Sequence, residues 1–298
     1  MAKIVYKTLM IFLLIFLMGF DNMNEELHVV TFNIRYASPG DGINIWEKRV
    51  PVVKRYLNEE MPDIVGMQEV VHSQLLDLQE MMPGYSYVGT GRDDGKQGGE
   101  YSPIFFRNDK FDLIEHSQFW LSDTPDVPGS VGWDAAITRV VAWAKLKHKP
   151  TGKELYCFNT HFDHRGVEAR QRSADLMSQK ITEIAGDSPV IATGDFNIRR
   201  SHPSLGNALY YNLIGTFKDY NSLLNTEYIS NTPVTTGGIT STGFRPDWKE
   251  AEPGYAIDYI FVNDYFEVES YRVDRVMEGD VFISDHWPVV SVVSFSDN

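Results

Sequence analysis

The sequence predicts an α/β fold in which antiparallel-rich sheets are covered by helices. Three observations carry that expectation. Short apolar runs bounded by turn residues recur along the chain, and apolar residues at helical spacing fall between them. The turn Lys149-Pro150-Thr151-Gly152 joins two of the runs as a hairpin. From Leu27 onward no Pro/Gly/Ser-rich linker and no repeat breaks the pattern, so residues 23–298 read as one domain.

The predicted strands cover residues 28–34, 63–67, 103–106, 139–148, 154–160, 189–193, 255–262, 266–273 and 287–295. In 139–148 the alternation is plain, with Val140, Ala142, Ala144 and Leu146 on one face. Three helices interleave. Trp46, Val50, Val53 and Leu57 share one face, and Leu75, Leu78 and Met82 do so before Pro83-Gly84 stops the chain. Val167, Ala174, Met177, Ile181 and Ile184 mark a longer helix with charged residues between them. Two sheets packed face to face, with helices outside, fit this mixture.

Composition narrows the function. The 41 acidic and 27 basic residues leave a formal net charge of -14, which disfavours avid, sequence-blind binding of polyanions. A bound cation or a local basic patch can still reverse that field at one site. The single cysteine, Cys157, excludes an intramolecular disulfide, and its apolar neighbours Leu155, Tyr156 and Phe158 mark it as a small core residue rather than a nucleophile. Lys3 and Lys7 precede residues 9–20, which are apolar apart from Gly19. That pattern predicts export, with residues 1–22 serving as a signal peptide or an uncleaved N-terminal anchor. The run is shorter than the ~20 residues of a membrane span.

The chemistry lies where the apolar runs end. Asn33, Glu69, His161, Asp195 with Asn197, Asp258, and Asp285-His286 each stand in or beside a predicted strand. Such groups are costly to desolvate without partners, and six such places point to one polar cleft at an edge of the sheets. Asn, Glu and Asp are hard oxygen donors suited to Mg²⁺, with Mn²⁺ as the alternative, and no zinc-type Cys/His cluster occurs. Histidines beside carboxylates suit proton transfer or the stabilisation of charged oxygen. Together they describe metal-assisted phosphoester hydrolysis.

The ordered set Thr31-Phe-Asn-Ile-Arg35, Gln68-Glu69-Val70, Glu100-Tyr-Ser-Pro-Ile-Phe-Phe-Arg107, Asn159-Thr-His-Phe-Asp-His164, Gly194-Asp-Phe-Asn197, Ile257-Asp-Tyr-Ile260 and Ser284-Asp-His286 resembles the endonuclease/exonuclease/phosphatase superfamily. The resemblance runs from Leu27 to the C-terminus. It implies an α/β fold, a four-layer α/β/β/α sandwich with two mostly antiparallel sheets packed face to face. It also implies roles. Glu69 and Asn33 are expected on the metal side, with Asp285 as a further acidic contact to metal or water. Asp195 is expected to orient or deprotonate the attacking water. Asn197 is expected to hold phosphate or metal, and His286, oriented by Asp258, to contact the phosphate. His161 is expected as a second histidine with Glu100 as its orienting carboxylate.

Other residues stay open on sequence alone. His164 either lines the site or sits on the surface, and Asp163 is equally undecided. Arg165, Arg170 and Arg172 read as a solvated helix face, with Arg170 able to reach a phosphate. Trp120 and Trp133 either stack on a substrate or pin a long loop. Residues 235–242 and 244–248 read as a mobile rim of the cleft. The leading functional expectation is hydrolysis of a small or lipid-linked phosphoester outside the cytoplasm, by a monomer with no obligate protein partner. The alternatives are a secreted nuclease acting on DNA or RNA and an inactive ligand- or protein-binding module of the same fold.

Overall fold

The computed structural model describes residues 25–200, 207–232, 238–245 and 256–296. The predicted export segment lies outside them, as do residues 235–237 and 246–248 of the predicted rim. In chain order come β1 (Leu27–Asn33), a 3-10 turn (Gly42–Asn44), α1 (Trp46–Glu60), β2 (Ile64–Gln68), α2 (His72–Met81), β3 (Tyr85–Val88) and β4 (Ile104–Arg107). Then follow β5 (Phe111–Trp120), β6 (Val140–His148), β7 (Glu154–His161), α3 (Val167–Ala185), β8 (Val190–Asp195) and α4 (Ala208–Asn221). The remainder is β9 (Leu224–Asn225), α5 (Thr226–Ile229), β10 (Asp258–Val262), β11 (Phe266–Val273), β12 (Met277–Glu278), β13 (Val281–Phe282) and β14 (Val289–Phe295).

Two six-stranded sheets form, in the orders β11-β14-β1-β2-β4-β3 and β5-β6-β7-β8-β10-β9. Only β1–β2 and β7–β8 pair in parallel within them. Period-two alternation then builds the layers. In the second sheet Cys157, Ile191, Ile260 and Val262 face the first sheet, while Phe158, Ala192, Tyr259 and Phe261 face α3 and α4. On the far side α1 and α2 bury Val53, Leu57, Leu75 and Leu78 against the first sheet, where Phe32 meets Tyr56 edge-on. The result is the four-layer α/β/β/α sandwich.

Four differences from the sequence expectation stand out. Strand β5 was not legible because it is an edge strand with residues Asp112–Ser117 exposed and a bulge between Leu113 and Glu115, which erases alternation. Trp120, expected in a loop, ends that strand. Helix α4 buries Leu209, Tyr210, Leu213 and Phe217 at helical spacing, but Gly215 and an aromatic pair dilute its propensity. Val167 opens α3 exposed rather than on its apolar face.

Beneath one edge the sheets touch through polar groups. The Asn159 amide donates to the carbonyls of Met67 (2.7 Å) and Pro103 (3.0 Å), and its oxygen accepts from Gln68 (2.7 Å) and Thr193 (3.0 Å). Only glycine leaves room for this approach. A Cβ at Gly66 would stand 2.1 Å from Thr193 Oγ1 and 2.6 Å from Asn159 Oδ1. Gly66→Ala is therefore expected to destabilise the fold by about 1–3 kcal/mol. Thermal unfolding checks this, and an unchanged midpoint would show that the sheets part freely here.

Candidate active site

Pairing register places the predicted residues in rows. His161 lies opposite Asp195, and Asp195 opposite Asp258, so the three share one rung across β7, β8 and β10. They keep the pleat phase of the inward-facing Cys157 and Ile260, and so point between the sheets. In the first sheet Asn33 ends β1, and Glu69 directly follows β2, its parallel neighbour. Both rows open at the edge above Asn159.

The turns leaving these strands are strained. Arg35, Glu69 and Asn197 have φ of 57°, 62° and 49°, a left-handed region that costs a non-glycine residue about 1–2 kcal/mol. Local hydrogen bonds hold it. Asn33 Oδ1 accepts from Arg35 N, Glu69 accepts from Tyr36 N, and Asp195 Oδ1 accepts from Asn197 N.

The Asn33 amide donates to both Glu69 (3.1 Å) and Asp195 (3.0 Å), bridging the two sheets' carboxylates. As placed it offers hydrogens to the acids and turns its oxygen to its own loop. Burial, and then the charge of Asp258, push the Asp195 carboxyl well above the usual carboxylate range. His286 Nδ1 stands 2.9 Å from Asp258, and its Nε2 is 3.8 Å from Asp195. Burial opposes the imidazolium, but Asp258, Asp195 and Asp285 outweigh it and hold its pKa well above the ordinary value.

The other side of the site is cation-seeking. Burial, followed by repulsion from Glu69, raises the Asp285 carboxyl despite His286 and Arg35. The Arg35 guanidinium stands 3.7 Å from Glu69 and 3.9 Å from Asp285, while its bidentate partner is Asp41. Below lies the fully buried Arg49, which donates to the carbonyls of Asn44, Ile34, Arg35 and Ile283. Those contacts tie the loop after β1 to the loop carrying Asp285 and His286. Two hard carboxylates suit a Mg²⁺-class ion, while the expected ligand Asn33 instead turns its amide hydrogens to the acids. Asp195, Asp258 and His286 also bring ligand atoms within 4.8 Å of one another. That trio would hold a cation only after His286 gave up the proton that Asp258 favours.

Several expected pairings are rearranged. Glu100 does not orient His161: its oxygens accept from Arg92 at 2.7 and 3.0 Å. Asn197 spends its amide hydrogens on Phe162 O and His161 Nε2, both at 3.0 Å, and so positions His161 rather than facing a phosphate. Burial, then Arg139 and Arg92, keep His161 neutral, with its pKa well below the ordinary value. His164 lines the cleft and accepts from Arg139. Asp163 is structural, accepting backbone N–H groups from Ala136, Arg165 and Gly166. Arg170 is buried and bonds Asp163 O, so it is not a solvated side chain. Both tryptophans pin loops: Trp120 donates to Arg92 O, and Trp133 to Asp123. Of the predicted rim, Thr240 and Thr242 are buried and tied to Trp287 N and Asp285 O. The sequence reading missed Arg49, Arg92 and Arg139. Arg139 carried the one available signal, a charge at the start of an apolar strand.

The sequence profile of the Endonuclease/Exonuclease/phosphatase family matches residues 30–286. The chain belongs to that family of phosphoesterases and nucleases. An endonuclease/exonuclease/phosphatase structure from Bacteroides vulgatus is 38% identical, superposes with a TM-score of 0.83, and is matched over 91% of this chain and 100% of that one. A mannosyl-6-phosphatase of Bacteroides thetaiotaomicron is 37% identical with a TM-score of 0.79, over 90% of this chain and 100% of that one. An uncharacterized protein of Acanthamoeba polyphaga mimivirus is 29% identical over 262 residues, 83% of this chain and 91% of its own length.

Removing the Asp258 carboxylate tests the imidazolium. With its main stabilising charge gone, His286 loses its proton at lower pH. Asp258→Asn is expected to lower kcat/KM for phosphoester hydrolysis by about 10²–10³ at neutral pH. The alkaline limb of its pH–rate profile should move toward acid, and an unmoved limb would show that His286 does not act as the cation.

Proposed function

We propose that the protein is a divalent-cation-dependent phosphatase of small sugar phosphates, acting after export. One observation carries this reading. The Glu69 carboxylate and the Asp195/His286 pair line one cleft of about 500 Å³, the size of a small-molecule site rather than a polynucleotide groove, with Asp285 close behind on the shared Arg35. The likeness to a mannosyl-6-phosphatase and the net charge of -14 point the same way. Export rests on Lys3, Lys7 and the apolar residues 9–20, and the chain is proposed to work as a monomer without an obligate partner.

Glu69 and Asp285, with Asn33 beside them, would hold the cation, which supplies charge to neutralise the phosphoryl oxygens. Asp195 orients a water for in-line attack on phosphorus and takes its proton, a task suited to a carboxylate of raised proton affinity. His286 donates from Nε2 to a phosphoryl oxygen and stays charged through Asp258. The proposed attack by water is direct, with no phosphorylated enzyme: Cys157 is buried between the sheets, and among the described residues no hydrogen bond joins a serine hydroxyl to the side chains of Asp195, Asp258 or His286.

A hydrolysis screen with Mg²⁺, Mn²⁺ or chelator tests this, offering hexose 6-phosphates, p-nitrophenyl phosphate, bis-p-nitrophenyl phosphate, sphingomyelin, plasmid DNA and RNA. Hexose 6-phosphates are expected to turn over, with activity lost in chelator. Asp195→Asn is expected to lower kcat by about 10³-fold or more, and Glu69→Gln to raise the Mg²⁺ requirement about tenfold or more. Cleavage of nucleic acid alone, lost in Asp195→Asn, would replace the reading with a nuclease. A phosphoenzyme trapped on quenching would overturn the direct attack.

A further inference from the structure

Asp258 and His286 come from different sheets. Asp258 opens β10 in the second sheet, whereas His286 precedes β14 of the first, yet their side chains meet at 2.9 Å. Strand pairing within either sheet does not set that distance. A residue outside both sheets spans it. Thr240 lies in a loop and is fully buried. Its hydroxyl accepts the backbone N–H groups of Ile257 (3.0 Å) and Asp258 (3.2 Å), and its carbonyl accepts from Trp287 N at 2.6 Å.

The neighbours complete a clamp. Ser241 lines the cleft and pairs with His286 in an antiparallel bridge. Thr242 donates to the Asp285 carbonyl from both its N–H (2.7 Å) and its hydroxyl (3.0 Å). The Ile257 carbonyl in turn accepts from Phe196 N at 2.8 Å, which carries the link on to the residue after Asp195. Threonine suits this place. Its branched Cβ restricts χ1 and its oxygen can accept twice, so one side chain satisfies two buried donors in a fixed direction.

We propose that Thr240 is a positioning residue: it sets the approach of Asp258 to His286 across the two sheets, and through them the aim of the imidazole at the phosphoryl group. The inference rests on the sugar-phosphatase reading and adds a residue buried behind the site. Anchoring the loop alone would not require it, since Thr242 already bonds Asp285 O twice. Thr240 instead holds the backbone of one partner and of the residue next to the other. Without its hydroxyl two buried N–H groups lose this acceptor, and the chain at Asp258 must shift to recover one.

Thr240→Val keeps the shape and removes the hydroxyl. With mannose 6-phosphate in saturating Mg²⁺ it is expected to lower kcat by about 10-fold or more, with KM within about twofold, because a displacement of about 1 Å can cost ~10² in rate. Thr240→Ser restores the acceptor and is expected to return kcat to within about threefold of the unaltered protein. A double-mutant cycle separates aim from stability. In a His286→Ala background there is no imidazole to aim, and Thr240→Val is expected to lower the residual rate by less than about twofold. Circular dichroism establishes that each variant is folded, and Thr240→Ala takes the place of Thr240→Val if the latter is not. Equal losses in the two backgrounds, a loss confined to KM, or an unchanged kcat in folded Thr240→Val would each overturn the proposal and leave the phosphatase reading intact. A loss in Thr240→Ser as large as in Thr240→Val would overturn it too. No turnover of any hexose 6-phosphate by the unaltered protein would overturn the phosphatase reading and this inference together.

Discussion

The candidate site depends on an amide between two sheets. Asn159 belongs to β7, yet three of its four hydrogen bonds reach into the first sheet or the segment leading to β4. The site residues above it are divided the same way, Asn33 and Glu69 on one sheet, Asp195, Asp258 and His161 on the other. Geometry across the site is therefore geometry between sheets. A misplacement of about 1 Å can cost ~10² in rate, so an apolar interface able to slide would serve poorly. Directional bonds at Asn159 and the bare backbone of Gly66 remove that freedom.

Electrostatics impose the second constraint. Asp195, Asp258, Glu69 and Asp285 converge in a chain of net charge -14, and mutual repulsion would drive them apart or protonate them. The protein answers with cations placed beneath and around the acids. Burial lowers Arg49 to about 10, still charged at neutral pH, and carbonyls rather than carboxylates take its hydrogens. Its charge remains available to the acids above. His286, paired with Asp258, adds positive charge from within the row, and Arg35, paired with Asp41, adds it from the rim.

The sandwich was legible because its central strands are buried on both faces and end in polar residues. Asn33, Glu69, Asp195, Asp258, Asp285 and His286 could be named for that reason: each breaks an apolar run where desolvation would otherwise be penalised. Pairing was not legible. Glu100 and His161 are 61 positions apart, and which carboxylate meets which base depends on loops packing through Trp120, where Arg92 claims Glu100 first. Arg49 was hidden by its context, since an arginine among charged helical residues looks solvated until the loops close over it. Strand β5 faces solvent and carries no alternation to read.

Cys157 has a consequence of a different kind. The only thiol in the chain is buried between the sheets, and burial pushes its pKa up, so it stays protonated and out of reach of alkylating reagents. The protein is thus a ready background for site-selective chemistry. A single cysteine set on the cleft rim would be the sole position to take a fluorophore or spin label, with no native residue removed beforehand. Ligand entry could then be followed by the brightness or mobility of one probe.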